Sequence, residues 1–85
     1  MEINVTPRFM KSYKRLHKEI QEKAKVKEAV FRKNPFDKRL KTHKLSGKEK
    51  EAWAFCADYF YRIKFIFLTK IEVLFLDIGT HDFYK

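Results

Sequence analysis

The sequence predicts one small α+β domain of order β-α-α-β-β-β, with a helical hairpin packed on one face of an antiparallel sheet. Three observations predict it. The chain has 85 residues and two glycines and two prolines, so it holds a single core and no long linker. Its first third repeats apolar residues at helical spacing. Its last third alternates or clusters them at strand spacing, with most of the nine phenylalanines there. Residues 1–85 are expected to form that one domain.

Each element follows in order. Glu2 to Val5 alternates polar and apolar residues, with Ile3 and Val5 on one side, and reads as a first strand. Thr6-Pro7 is a helix start: a hydroxyl N-cap, then proline at the first helical position. Phe9, Tyr13, Leu16 and Ile20 form a stripe at spacings of four, three and four. A continuous helix as far as Lys33 would be about 40 Å long, too long for a domain of about 12 Å radius of gyration. A hairpin breaking between Lys18 and Lys23 is expected instead, with Ala24, Val26, Ala29, Val30 and Phe31 on the second arm. Asn34-Pro35 ends that arm, because the residue before proline disfavours the helical region.

Pro35 to Lys50 is a basic, polar joint, tacked to the core by Phe36, Leu40 and Leu45, with a turn at Ser46-Gly47. Trp53 to Asp58 alternates, with Trp53, Phe55 and Ala57 on one face and Ala54, Cys56 and Asp58 on the other. After a short connection, Tyr61 to Leu68 puts Tyr61, Ile63, Phe65 and Phe67 on the core side, and Arg62 and Lys64 opposite. A turn at Leu68–Lys70 precedes a last strand that places Leu74, Leu76 and Ile78 on one face and Val73, Phe75 and Asp77 on the other. That strand runs into Gly79-Thr80-His81.

Charge narrows the function. Twenty Lys and Arg face eleven Asp and Glu, a net +9, and sixteen of the basic residues lie between Arg8 and Lys50 against five acidic ones. Such a surface favours polyanions or an acidic protein partner. The single cysteine excludes an intrachain disulfide, and Cys56, set among apolar residues, is expected to be a buried thiol. No apolar run approaches the roughly 20 residues that span a bilayer, and no secretory leader pattern opens the chain. A soluble cytoplasmic protein without membrane contact, metal or cofactor is expected.

The segments NPFDKRLKTHKLSGK, WAFCADYFYRIKF and VLFLDIGTHDFY resemble the RelE/ParE superfamily of toxins from type II toxin–antitoxin modules. The likeness is greatest to its RelE-type mRNA interferase branch, with YafQ- and YoeB-like members, and extends over essentially the whole chain. The resemblance implies the fold just described and metal-independent endoribonuclease activity on mRNA, commonly at the ribosome. In that chemistry a ribose 2′-hydroxyl attacks the adjacent phosphate, which needs a base, cations for the developing charge and an acid for the leaving oxygen.

By the same resemblance His81 matches the histidine of the family's terminal GTH stretch, and Arg62 the arginine that contacts the scissile phosphate. His43 matches the histidine before the LSG turn, Asp58 a site aspartate between the second and third strands, and Tyr84 a terminal tyrosine. Lys64, Lys41, Lys44, Lys48 and Arg39 are the expected RNA contacts. Departures are visible: Ala54 and Cys56 stand where RelE's second strand carries lysines, and no acid lies among Arg39, Leu40 and Lys41. Tyr84 follows His81 by three residues where related tails have four. The implied partners are an acidic antitoxin, mRNA and the ribosome, with DNA contacted only through the toxin–antitoxin complex. Two other functions fit the same residues: a ParE-like inhibitor of DNA gyrase, and a non-catalytic RNA- or ribosome-binding module.

Overall fold

Thr6 shows how local chemistry builds this architecture. Its hydroxyl accepts from the Phe9 N–H at 3.0 Å, capping the first helix, and donates to the Leu76 carbonyl at 2.9 Å, tying that helix to the last strand. The computed structural model describes residues 1–45 and 51–80. Their order is β1 (Glu2–Val5), α1 (Pro7–Lys14), α2 (Lys18–Lys33), a 3₁₀ turn (Lys38–Leu40), β2 (His43–Lys44), β3 (Trp53–Cys56), β4 (Tyr61–Phe67) and β5 (Glu72–Thr80). The radius of gyration is 11.7 Å. The α+β class and the helix-covered sheet are those the sequence predicts.

The sheet is mixed rather than purely antiparallel. Its order is β1-β5-β4-β3-β2, and β1 runs parallel to β5. The reason is the crossover: α1 and α2 carry the chain over one face to the far edge, and successive hairpins bring it back beside β1. The two-residue β2 was not anticipated, because His43-Lys44 carries no apolar alternation and is held by pairing with Ala54 and Trp53.

The helical hairpin breaks at Arg15–His17, earlier than expected from the fading stripe. Gln21 explains this. Its side-chain amide donates to the Tyr13 and Leu16 carbonyls at 2.9 and 3.3 Å, and the Tyr13 hydroxyl donates back to the Gln21 carbonyl at 3.2 Å. The carbonyls left open at the end of α1 are thus satisfied from the next helix. On α2 the inward stripe is Ile20, Ala24, Lys27 and Phe31, whereas Val26 is 64% exposed and Ala29 faces solvent. Asn34 ends α2, as expected.

The core lies between α2 and the sheet. Phe31 is fully buried, stacked on Phe55 with centroids 4.6 Å apart and edge-on to Phe65 and Phe75 at 5.0 and 5.5 Å. Each such ring pair adds roughly 0.5–1.5 kcal/mol to plain burial. Leu40, fully buried, anchors the basic joint. Phe36 remains 54% exposed but packs on Trp53 and Phe67.

One irregularity redirects the last strand. Phe65 pairs with Phe75, but Lys64 pairs with Asp77, so Leu76 is an extra residue on β5. The bulge turns Asp77 away from the Val73 and Phe75 face and returns Ile78 to the core. The simple alternation expected for this strand is therefore overturned beyond Phe75.

Candidate nucleic-acid interface

Register assigns the face opposite the helices. His43 pairs with Ala54, Ala54 with Lys64, and Lys64 with Asp77, so one row crosses four strands with these side chains on the same side. The next row holds Cys56, Arg62 and Gly79. Adjacent strands lie about 4.8 Å apart and alternate residues about 7 Å, so His43, Arg62 and Lys64 occupy a patch on the order of 10 Å across. Ala54 and Cys56 form its buried floor.

His43 is exposed, and its Nδ1 lies 3.0 Å from the Lys41 carbonyl. A carbonyl oxygen only accepts, so Nδ1 carries the hydrogen, and Nε2 carries the lone pair in the neutral ring. That is the tautomer a general base needs. The carbonyl comes into range because Lys41 adopts a left-handed conformation, φ 52°, at the end of the 3₁₀ turn.

Arg62 is half-buried, and its Nη1 donates to three carbonyls, those of Asp58, Tyr59 and Tyr61, at 3.1, 3.0 and 3.2 Å. The guanidinium is thereby fixed at the base of the β3–β4 hairpin, and Gly79 across from it adds no side chain to the patch. Beside it opens a groove of about 660 Å³ bordered by Lys27, Arg39, Lys41, Asp58 and the hairpin tip. Lys27 was missed by sequence reading because it sits on the inward stripe of α2, a position normally apolar.

Asp58 belongs to the turn. It pairs with Lys23 Nζ at 3.4 Å. Burial, the largest influence on its carboxyl, pushes the pKa up, but the Tyr59 and Phe60 N–H groups and Lys23 together outweigh it and bring the net shift below the ordinary value. Its carboxylate is therefore ionised at neutral pH and poorly suited to donating a proton. Arg39 is also engaged: its Nε and Nη2 meet Asp37 at 3.0 and 2.9 Å, and that side-chain bond is the leading cause that holds the Asp37 pKa down to about 2.

The structure does not gather every expected contact. Lys44 pairs with Trp53, which places it on the helix side of the edge strand, away from His43. His81, Tyr84 and Lys48 lie outside the described residues. The strand that leads to His81 ends at Thr80, paired with Tyr61, one position from the Arg62 row. Arg8 and Asp77 enlarge the patch: Arg8 Nε reaches Asp77 Oδ2 at 3.1 Å beside Lys64, and Asp77 is only 6% exposed. Neither was singled out by the sequence, because the bulge that turns Asp77 outward leaves no local signal. Among the described residues no group of three or more His, Cys, Asp or Glu is placed to hold a metal ion, and no helix is long and apolar enough to cross a membrane.

This arrangement, two helices over one face of a mixed five-stranded sheet, is a fold shared with solved toxin structures. Among solved structures it resembles YafQ from E. coli strain BL21(DE3), with TM-score 0.77 and 21% identity over 95% of this chain and 93% of that one. The YoeB/ParE toxin from Agrobacterium tumefaciens superposes with TM-score 0.78 at 16% identity, covering 95% and 99%. The archaeal RelE of a RelE–RelB complex from Pyrococcus horikoshii OT3 gives 0.74 at 12% identity, covering 93% and 92%. No protein-family model and no curated protein sequence matches the chain.

Proposed function

We propose that this protein is the toxin of a type II toxin–antitoxin module and acts as a metal-independent endoribonuclease on mRNA, associated with the ribosome. The observation that carries the reading is the open-face patch, in which an oriented imidazole and two cations stand together above a small-residue floor. His43 Nε2 or His81 takes the proton of a ribose 2′-hydroxyl, whose oxygen attacks the adjacent phosphorus. Arg62 and Lys64 stabilise the added negative charge on the phosphoryl oxygens. The bond to the 5′ oxygen breaks, and the second of these histidines, or Tyr84, protonates the leaving group. Asp58, held ionised in its turn, shapes the groove.

The partner follows from charge and from the neighbours. The solved relatives include a DinJ–YafQ toxin–antitoxin complex from E. coli and a heterotetrameric YoeB–YefM complex from Staphylococcus aureus. A +9 domain suits an acidic antitoxin that folds as it wraps the surface.

Ribosomes programmed with mRNA provide the test. Wild-type protein should cut the message, and Arg62→Ala and His81→Ala should cut it at least about 10²-fold more slowly. Toxicity on expression with intact transcripts and gyrase-trapped DNA breaks would overturn the assignment.

A further inference from the structure

The hairpin between β3 and β4 turns through only two residues, Tyr59 and Phe60. Asp58 and Tyr61 exchange backbone hydrogen bonds at 3.3 Å on either side of them. Such tips ordinarily carry Asn, Asp or Gly, whose conformational range suits a tight turn and whose small side chains lose nothing by exposure. Here Tyr59 is 81% exposed and Phe60 64%, the largest exposures among the aromatic residues described. Their rings meet edge to face, 4.8 Å apart at 78°.

The turn does not need those rings. Asp58 and Tyr61 pair through their backbones across it, and Arg62 Nη1 ties down three carbonyls of the same loop. Two large apolar faces are thus held in solvent on a firm backbone. They stand at the mouth of the groove bordered by Lys27, Lys41 and Arg62. An aromatic platform beside a cationic track is the chemistry that single-stranded nucleic acid uses: phosphates follow the charges and unpaired bases stack on the rings.

We propose that Tyr59 and Phe60 form a base-stacking subsite that takes an unpaired base of single-stranded RNA while its phosphates run past Lys27, Lys41 and Arg62. This rests on the RNA-directed reading above and adds to it the kind of contact that discriminates a splayed single strand from a duplex. Stacking is tolerant of base identity, because every base offers a π face.

The test compares two short fluorescent RNA oligomers with 2′-O-methyl sugars to block cleavage, one carrying bases throughout and one with a run of abasic sites. Wild-type protein should bind the abasic oligomer about 5- to 150-fold more weakly for each stacked base lost. Tyr59→Ala/Phe60→Ala and Tyr59→Leu/Phe60→Leu should bind the two oligomers alike, while Tyr59→Phe keeps the preference. The salt dependence should stay unchanged in all of them, because no charge is altered. Melting temperatures should be unchanged, since the rings bury little.

Equal wild-type affinity for both oligomers overturns the stacking subsite and leaves the cationic groove standing. Failure of wild-type protein to bind either oligomer at low salt overturns the RNA reading, and the subsite with it. A double alanine variant that binds RNA normally but no longer holds a co-expressed acidic protein would reassign the rings to a protein contact and overturn the proposal.

Discussion

The two faces of this sheet are built from the same strands and treat substitution in opposite ways. On the helix side, Phe55, Phe65 and Phe75 close around Phe31 with none of the four more than 1% exposed. On the other side the same strands present Ala54, Cys56, Arg62, Lys64 and Asp77, a floor of small residues under charged arms. Strand alternation lets one backbone hold a folding surface and a candidate chemical surface back to back. The cost of a change therefore reports which face a residue serves.

The largest expected effect lies on the helix side. Phe31→Ala removes the ring shared by three aromatic contacts and should destabilise the domain by about 3–5 kcal/mol, enough to unfold much of so small a protein. Urea titration followed by circular dichroism measures it. A loss below about 1 kcal/mol would mean that α2 is held by something other than this ring.

Next comes the open face. Arg62→Lys keeps the charge but loses the planar fork, and should lower the cleavage rate by about 10²-fold while shifting the urea midpoint far less than Phe31→Ala does. If stability falls as much as activity, Arg62 serves the hairpin rather than the phosphate, and the contrast between the faces fails at that point.

A smaller effect concerns the bridge across the bulge. Arg8→Ala should reduce the slope of log affinity against log salt for single-stranded RNA by about 0.7. Asp77→Asn, which releases Arg8, should tighten RNA binding. Because the Arg8 side chain is 81% exposed, the bridge adds about 1 kcal/mol or less to stability. Equal slopes in wild type and Arg8→Ala would remove Arg8 from the interface.

The smallest effect is one of pH. The side-chain bond from Arg39, foremost, holds Asp37 down to about 2, below the ordinary unfolded value of about 3.9. A depressed carboxylate adds stability that is fully present above the unfolded pKa and is lost as pH falls toward the folded one. Wild type should therefore exceed Asp37→Asn in stability above about pH 4, and the gap should close as pH approaches 2, followed by thermal melts across that range. A gap that persists unchanged at pH 2 would show that Asp37 acts through the turn geometry and not through its charge.

How much of this was legible in the sequence varies by element. Thr6-Pro7 and Asn34-Pro35 marked helix ends because caps and proline act within a few residues. Cys56 was placed correctly as a buried thiol, since its neighbours alternate along one strand. The hairpin break, by contrast, was misplaced because it depends on Gln21 reaching back to Tyr13 and Leu16. Of the candidate site, Arg62 and Lys64 share one face as their strand alternation implied, whereas His43 joins them only through pairing in the unanticipated β2, and Lys44 falls on the other side.

By itself the sequence determined the α+β class, the opposed faces of β3 and β4 and the strong positive charge. These follow from side-chain periodicity and composition, which are written locally in the chain. Only the tertiary structure decided that β1 lies parallel to β5, that a bulge at Leu76 turns Asp77 outward to meet Arg8, and that Lys27 opens onto the groove. Each of these depends on pairing or packing between segments distant in sequence, and no local pattern encodes such contacts.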